Sequence, residues 1–102
     1  MQLLQHINQS GKHFLKEVAA LIQKNHSRKI NHIDVNGVDA PYLYIMTYND
    51  RHQVEIIVSI QIHNYEQARI AMSVNHNTNS WLVSTQQLEA EDLSKTIMAF
   101  CV

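Results

Sequence analysis

A chain of 102 residues has room for one domain and one core, since domains run from about 50 to 250 residues. Hydrophobic residues make up 45% and charged residues 17%, against about 25% charged in ordinary domains, with two Gly and one Pro, which excludes a disordered tail or a fibre. Eight Lys and Arg against nine Asp and Glu give a formal charge of -1, so charge nominates no nucleic-acid partner; protonating all seven His would carry it to +6.

The N-terminal Met1-Gln2-Leu3-Leu4-Gln5-His6 has neither a basic leader nor an unbroken apolar run, so no signal peptide is expected. Leu4, Ile7, Phe14, Leu15, Val18, Leu21 and Ile22 then fall at the three-and-four spacing of a helix with one buried stripe. Ser10-Gly11 interrupts that pattern, because Gly costs about 1 kcal/mol inside a helix and Ser caps well. One bent helix, or a short helix followed by a longer one from Gly11, both fit, with a stop at Asn25. Lys24, Arg28 and Lys29 cluster at this helix end, where cations favour the helix dipole and need no nucleic acid to explain them.

After Lys29 the apolar period becomes two. Val35-Asn36-Gly37-Val38 predicts a two-residue hairpin turn, since a type I′ turn needs positive φ at both central residues. Residues 42–48 and 54–62 read as strands about a polar turn at Asn49-Asp50-Arg51-His52. Turns over Asn64–Gln67 and Asn75–Ser80 bracket strands at Ile70–Val74 and Trp81–Val83.

Directly opposed residues of an antiparallel pair share a face. With Asp50-Arg51 at the tip, Ile45 faces Ile56 and Leu43 faces Val58, and an odd loop after Ile62 keeps Ile70, Met72 and Val74 on that side. The two-residue Asn36-Gly37 turn sends Ile33 and Val35 to the opposite face, which predicts a bulge near Ala40-Pro41. A second helix is expected from about Gln86 to Phe100, capped by Ser84 or Thr85 with Gln87 completing a capping box, and striped by Leu93, Ile97, Phe100 and Cys101. The six apolar residues Ile97–Val102 are far short of the roughly 20 that span a bilayer.

The expected fold is therefore α+β over a single domain, residues 1–102: an N-terminal helix, a five-strand antiparallel meander sheet and a C-terminal helix. In architecture alone this order resembles small secretion chaperones, immunity proteins and phage-encoded inhibitors.

Chemistry is thinly represented. His6 and His13 are seven apart where a helical metal pair is normally four apart, and spacing cannot group His32, His52, His63 and His76, so no metal is assigned. Cys101, the single cysteine, excludes an internal disulfide and fits a reducing, cytoplasmic setting; on an apolar stripe it reads as an inert small hydrophobe. Ser10-Gly11-Lys12-His13 lacks the first Gly and the final Ser or Thr of a phosphate loop. Asn8-Gln9-Ser10 and Asn25-His26-Ser27 match a glycosylation sequon that means nothing without secretion.

The most informative pattern lies on the other sheet face: Tyr42, Tyr44, Met46 and Tyr48 on one strand, beside Glu55, Ile57 and Ser59. Tyr and Met are enriched at protein interfaces; alternatively, one helix covers this face as a second core layer. The expected function is a non-enzymatic protein-binding module, of inhibitor, immunity or adaptor/chaperone type. It would act through this sheet face or a sheet edge, with Tyr42, Tyr44, Met46, Tyr48 and Ile57 as interface residues. The expected partner is another protein or a second copy, with no cofactor, nucleic acid or membrane. The alternative is a small-ligand or metal-binding protein using histidines. An enzyme ranks last, because no nucleophile, base and orienter assemble.

Overall fold

A computed structural model of the chain describes residues 2–26, 30–37, 40–49, 52–62 and 66–99. Its described elements are helix α1 (Gln2–His26), strands β1 (Ile30–Asn36), β2 (Tyr42–Asn49), β3 (His52–Ile62), β4 (Gln67–Val74) and β5 (Asn77–Ser84), a 3-10 turn (Thr85–Gln87) and helix α2 (Ala90–Met98). The five strands form one antiparallel sheet in chain order, so the fold is α+β with a meander between two helices. None of the described helices is long and apolar enough to cross a membrane.

Helix α1 runs through Ser10-Gly11 without a break. Gly11 is buried on the same stripe as Leu15, Val18 and Ile22, and the 4-3-4 spacing of these residues places all four on one side. The three apolar members of that stripe have no exposed surface, and they pack with Leu43, Ile45, Ile56 and Val58 from the sheet in a single core. Helix α2 adds Leu93, Ile97 and Met98 to that core and lies against α1. Thr47 is fully buried among them, and among the described residues every buried side-chain nitrogen or oxygen has a hydrogen-bond partner, as burial of polar groups requires.

The register of the central strands follows from parity. Leu43 opposes Val58 and Ile45 opposes Ile56. Ile60 opposes Ile70, Val58 opposes Met72 and Ile56 opposes Val74. Each pair lies on the helix side, so the alternation of apolar residues with period two becomes the buried face of the sheet.

The first hairpin departs from expectation. Asn36 pairs with Tyr42 and Val35 with Leu43, so the connection is the five residues 37–41 rather than a two-residue turn. An odd connection keeps Ile33 and Val35 on the core side, opposite Ile45 and Leu43. The bulge is not at Ala40-Pro41 but between Ile30 and His32, where Asn31 is the extra residue. A regular ladder would oppose Asn31 to Thr47 and turn it inward. The bulge instead brings the half-buried Ile30 opposite Thr47 and leaves Asn31 exposed. Val38 and Asp39 lie outside the described residues.

The tight positive-φ turn is at Asn75-His76, with φ of 50° and 74°, and β5 begins directly after it at Asn77, earlier than the expected strand at Trp81. The C-terminal helix also starts later than expected. Ser84 caps only the 3-10 turn, its Oγ accepting from the Gln86 N–H at 3.3 Å. Leu88 and Glu89 are then extended, and α2 begins at Ala90 with no side-chain cap at Glu89. The break turns Leu88 onto the core, against which it is half-buried. A helix continuous from Gln86 would have fixed that side chain by helical phase instead. Phe100 and Cys101 lie outside the described residues.

Candidate protein-binding surface

Because the buried residues of β2 are Leu43, Ile45 and Thr47, the face alternating with them is the one both helices leave uncovered. Tyr42 and Tyr48 retain 37% and 53% of their surface, while Tyr44, Met46 and Ile57 are half-buried by their neighbours in the sheet. The structure thus places all five expected interface residues together on the open face, and no described helix forms a second layer over them.

Cross-strand pairing sets the local geometry. Tyr44 sits between Asp34 on β1 and Ile57 on β3, Met46 between His32 and Glu55, and Tyr42 between Asn36 and Ser59. Tyr44 donates its hydroxyl to Glu55 Oε2 at 2.8 Å. That bond holds the Tyr44 hydroxyl above the ordinary 10.0, with desolvation and the negative charges of Glu55 and Asp34 acting in the same direction. His32 Nε2 lies 3.0 Å from Asp34 Oδ2, and Asn36 Nδ2 donates to Asp34 Oδ1 at 2.6 Å. The His32 ring meets the Tyr44 ring edge-on, with centroids 5.9 Å apart. Gln53 Nε2 donates to Met46 Sδ at 3.2 Å. These contacts orient the ring of Tyr44, leaving Tyr42 and Tyr48 more open to solvent. The patch is acidic on its β1 and β3 flanks, through Asp34 and Glu55, whereas Arg69 on β4 donates to Ser80 Oγ at 3.3 Å farther along the face.

The reading of the sequence missed two features of this face. Leu82 on β5 is 52% exposed and opposes Arg69, so it belongs to the same open side but stands apart from the tyrosines. It follows from parity once the β4–β5 turn is fixed at Asn75-His76. The ordered His32-Asp34-Asn36 row follows in the same way once β1 pairs through a five-residue connection.

Among the described residues, no three His, Cys, Asp or Glu side chains come together as a metal set. His13, His32, His52 and His76 are exposed. His63, Cys101 and the side chain of His6 lie outside the described residues. A hollow of about 400 Å³, open to solvent, lies between the end of α1 and β1, lined by Gln23, Ile30, Asn31, His32 and Ile33. No protein-family model, curated protein or solved structure matches the chain.

Proposed function

We propose that this chain is a small, non-enzymatic, cytoplasmic protein-binding module, of the inhibitor, immunity or adaptor kind, that docks a partner on its open sheet face. The observation that carries the reading is the row Tyr42, Tyr44, Met46 and Tyr48 on a face that both helices leave bare. Tyr offers a large rigid contact area at low entropic cost, and Met adapts to the opposing shape. Five strands of 7 to 11 residues at about 4.8 Å spacing and about 3.3 Å per residue present roughly 650 Å², comparable to the ~600 Å² per partner at the low end of specific interfaces. The acidic flanks at Asp34 and Glu55 suit a partner that brings basic or hydrogen-bond-donating groups, and a second copy is the competing occupant.

The double variant Tyr42→Ser/Tyr48→Ser tests this. It is expected to weaken association at least tenfold while shifting the thermal midpoint by only a few degrees, because exposed substitutions change stability by about 0.5 kcal/mol or less each. Loss of folding in this variant would mean that the face is core, and the reading would be dropped. Sedimentation equilibrium separates self-association from a different partner.

The histidine-based alternative draws only on the hollow beside His32. Zinc added to chelator-treated protein is expected to raise the midpoint by less than about 5 °C; a larger rise, abolished by changing His32, would favour that alternative.

A further inference from the structure

Strand β5 is an edge strand that lacks the usual guards. Natural sheets protect their edges with charges, proline or bulges. Asn77–Ser84 has no charged residue and no proline, and its register with β4 runs unbroken from Asn77 to Ser84. The opposite edge, β1, carries the bulge at Asn31 and the charge of Asp34. The two-residue turn makes Val74 and Asn77 the first hydrogen-bonded pair, and hydrogen-bonded and non-bonded pairs then alternate. The bond from the Thr85 N–H to the Glu66 carbonyl at 3.0 Å falls in the same phase. Thr78, Ser80 and Leu82 therefore turn their backbone N–H and C=O groups outward.

The side chains beside this edge supply pockets. On the helix side, a cavity of about 110 Å³ lies between β5 and α2, walled by Trp81, Val83, Leu88 and Leu93, with Glu89 and Asp92 at its lining. It is below the ~300 Å³ of small-molecule sites but suits one apolar side chain. On the open side, Leu82 is a second apolar contact. An added strand alternates its side chains between these two sides.

From the bare backbone edge, the apolar groove and the acidic residues beside it, we infer that β5 and α2 bind an extended segment of another protein that turns an apolar and a basic side chain, two residues apart, to the helix side and an apolar one between them to Leu82. Charge decides against a second copy. Pairing β5 with β5 about a two-fold axis would bring two α2 helices to the same side of the seam, each with Glu89, Glu91 and Asp92 against Lys95. Like charges so placed oppose docking. This site is separate from the tyrosine patch.

The test pans a phage-displayed library of random eight-residue peptides against the full chain. Peptides carrying a Lys or Arg two residues from one apolar residue, with another apolar residue between them, are expected to be enriched. A synthetic version should protect the amides of Thr78, Ser80 and Leu82 from hydrogen exchange. It should bind at least tenfold more weakly to Ser80→Pro, and more weakly to Glu89→Gln/Asp92→Asn. If Ser80→Pro does not keep its thermal midpoint, Leu82→Lys, with its side chain in solvent, replaces it. The inference is overturned if nothing is enriched, if binders ignore peptide charge, or if a folded edge variant binds them undiminished. A chain dimer that Leu82→Lys dissociates would also overturn it, because the occupant would then be a second copy.

Discussion

Asn75 and His76 close the β4–β5 hairpin with φ of 50° and 74°. Asn suits this conformation. It also ties the turn to the neighbouring strand, since Asn75 N–H donates to the Glu55 carbonyl at 2.9 Å and Asn75 Oδ1 accepts from the Glu55 N–H at 2.8 Å. His76 carries a Cβ in a region that costs an L-residue roughly 1–2 kcal/mol, part of which Gly would return to the unfolded state as entropy. His76→Gly is therefore expected to stabilise the fold by about 0.5–1 kcal/mol, read as a higher urea midpoint. Gly37 works in the opposite sense. At φ of 93°, an added Cβ would come within 2.5 Å of the Ala40 carbonyl oxygen, a backbone atom that no side-chain rotation can move aside. Gly37→Ala should cost about 1–3 kcal/mol.

Tyr44 gives a pH signature. Its hydroxyl donates to Glu55, so the neutral phenol is the form the fold favours and its pKa is raised above 10.0. The resulting stabilisation is fully present below the unfolded-state value of about 10 and is lost as pH rises through the higher folded value. Glu55→Gln removes the charge and should move the tyrosinate absorbance titration of Tyr44 back toward 10; an unchanged titration would show that Glu55 is not the cause.

At the scale of elements, opposing preferences explain what could be read in the residues. The core registers were legible because alternation over residues 42–48, 54–62 and 70–74 leaves one parity that keeps Leu43, Ile45, Ile56, Val58, Ile70 and Met72 together. The first hairpin was misread because Asn36-Gly37 is a strong local turn signal. A two-residue turn would have turned Ile33 and Val35 to solvent, at about 1.5–3 kcal/mol for each fully buried apolar side chain. These two are only half-buried, yet together they outweigh a local turn preference. The start of α2 was misread for a related reason: Ser84 is a competent cap, but it caps a turn that ends at Gln87, and Leu88 then leaves helical phase to reach the core. Ser84→Ala should therefore cost only about 0.5–1 kcal/mol, the smaller part of the capping range. Ile97→Ala, at a position with no exposed surface, should cost about 2–5 kcal/mol. Equal losses in urea denaturation would contradict this division between a surface turn and a core helix.

For the whole molecule, the sharing of faces was legible and the placement of the helices was not. Parity says that Tyr42, Tyr44, Met46 and Tyr48 lie opposite Leu43 and Ile45, but it is silent on which face each helix covers. That depends on where the connections at the ends of β1 and β5 deliver α1 and α2. Both helices fall on the Leu43 side and pack against each other. One core then serves the described residues, and the tyrosine face is left uncovered, with Tyr42 and Tyr48 open to solvent and ordered polar groups on its flanks.

The most direct test is photocrosslinking in the native cell, with a benzophenone amino acid placed singly at Tyr48 on the open face or at Glu17 on the exposed side of α1. A docking sheet face predicts one discrete crosslinked partner from position 48 and none from position 17. No adduct from position 48, or the same adducts from both positions, would contradict it.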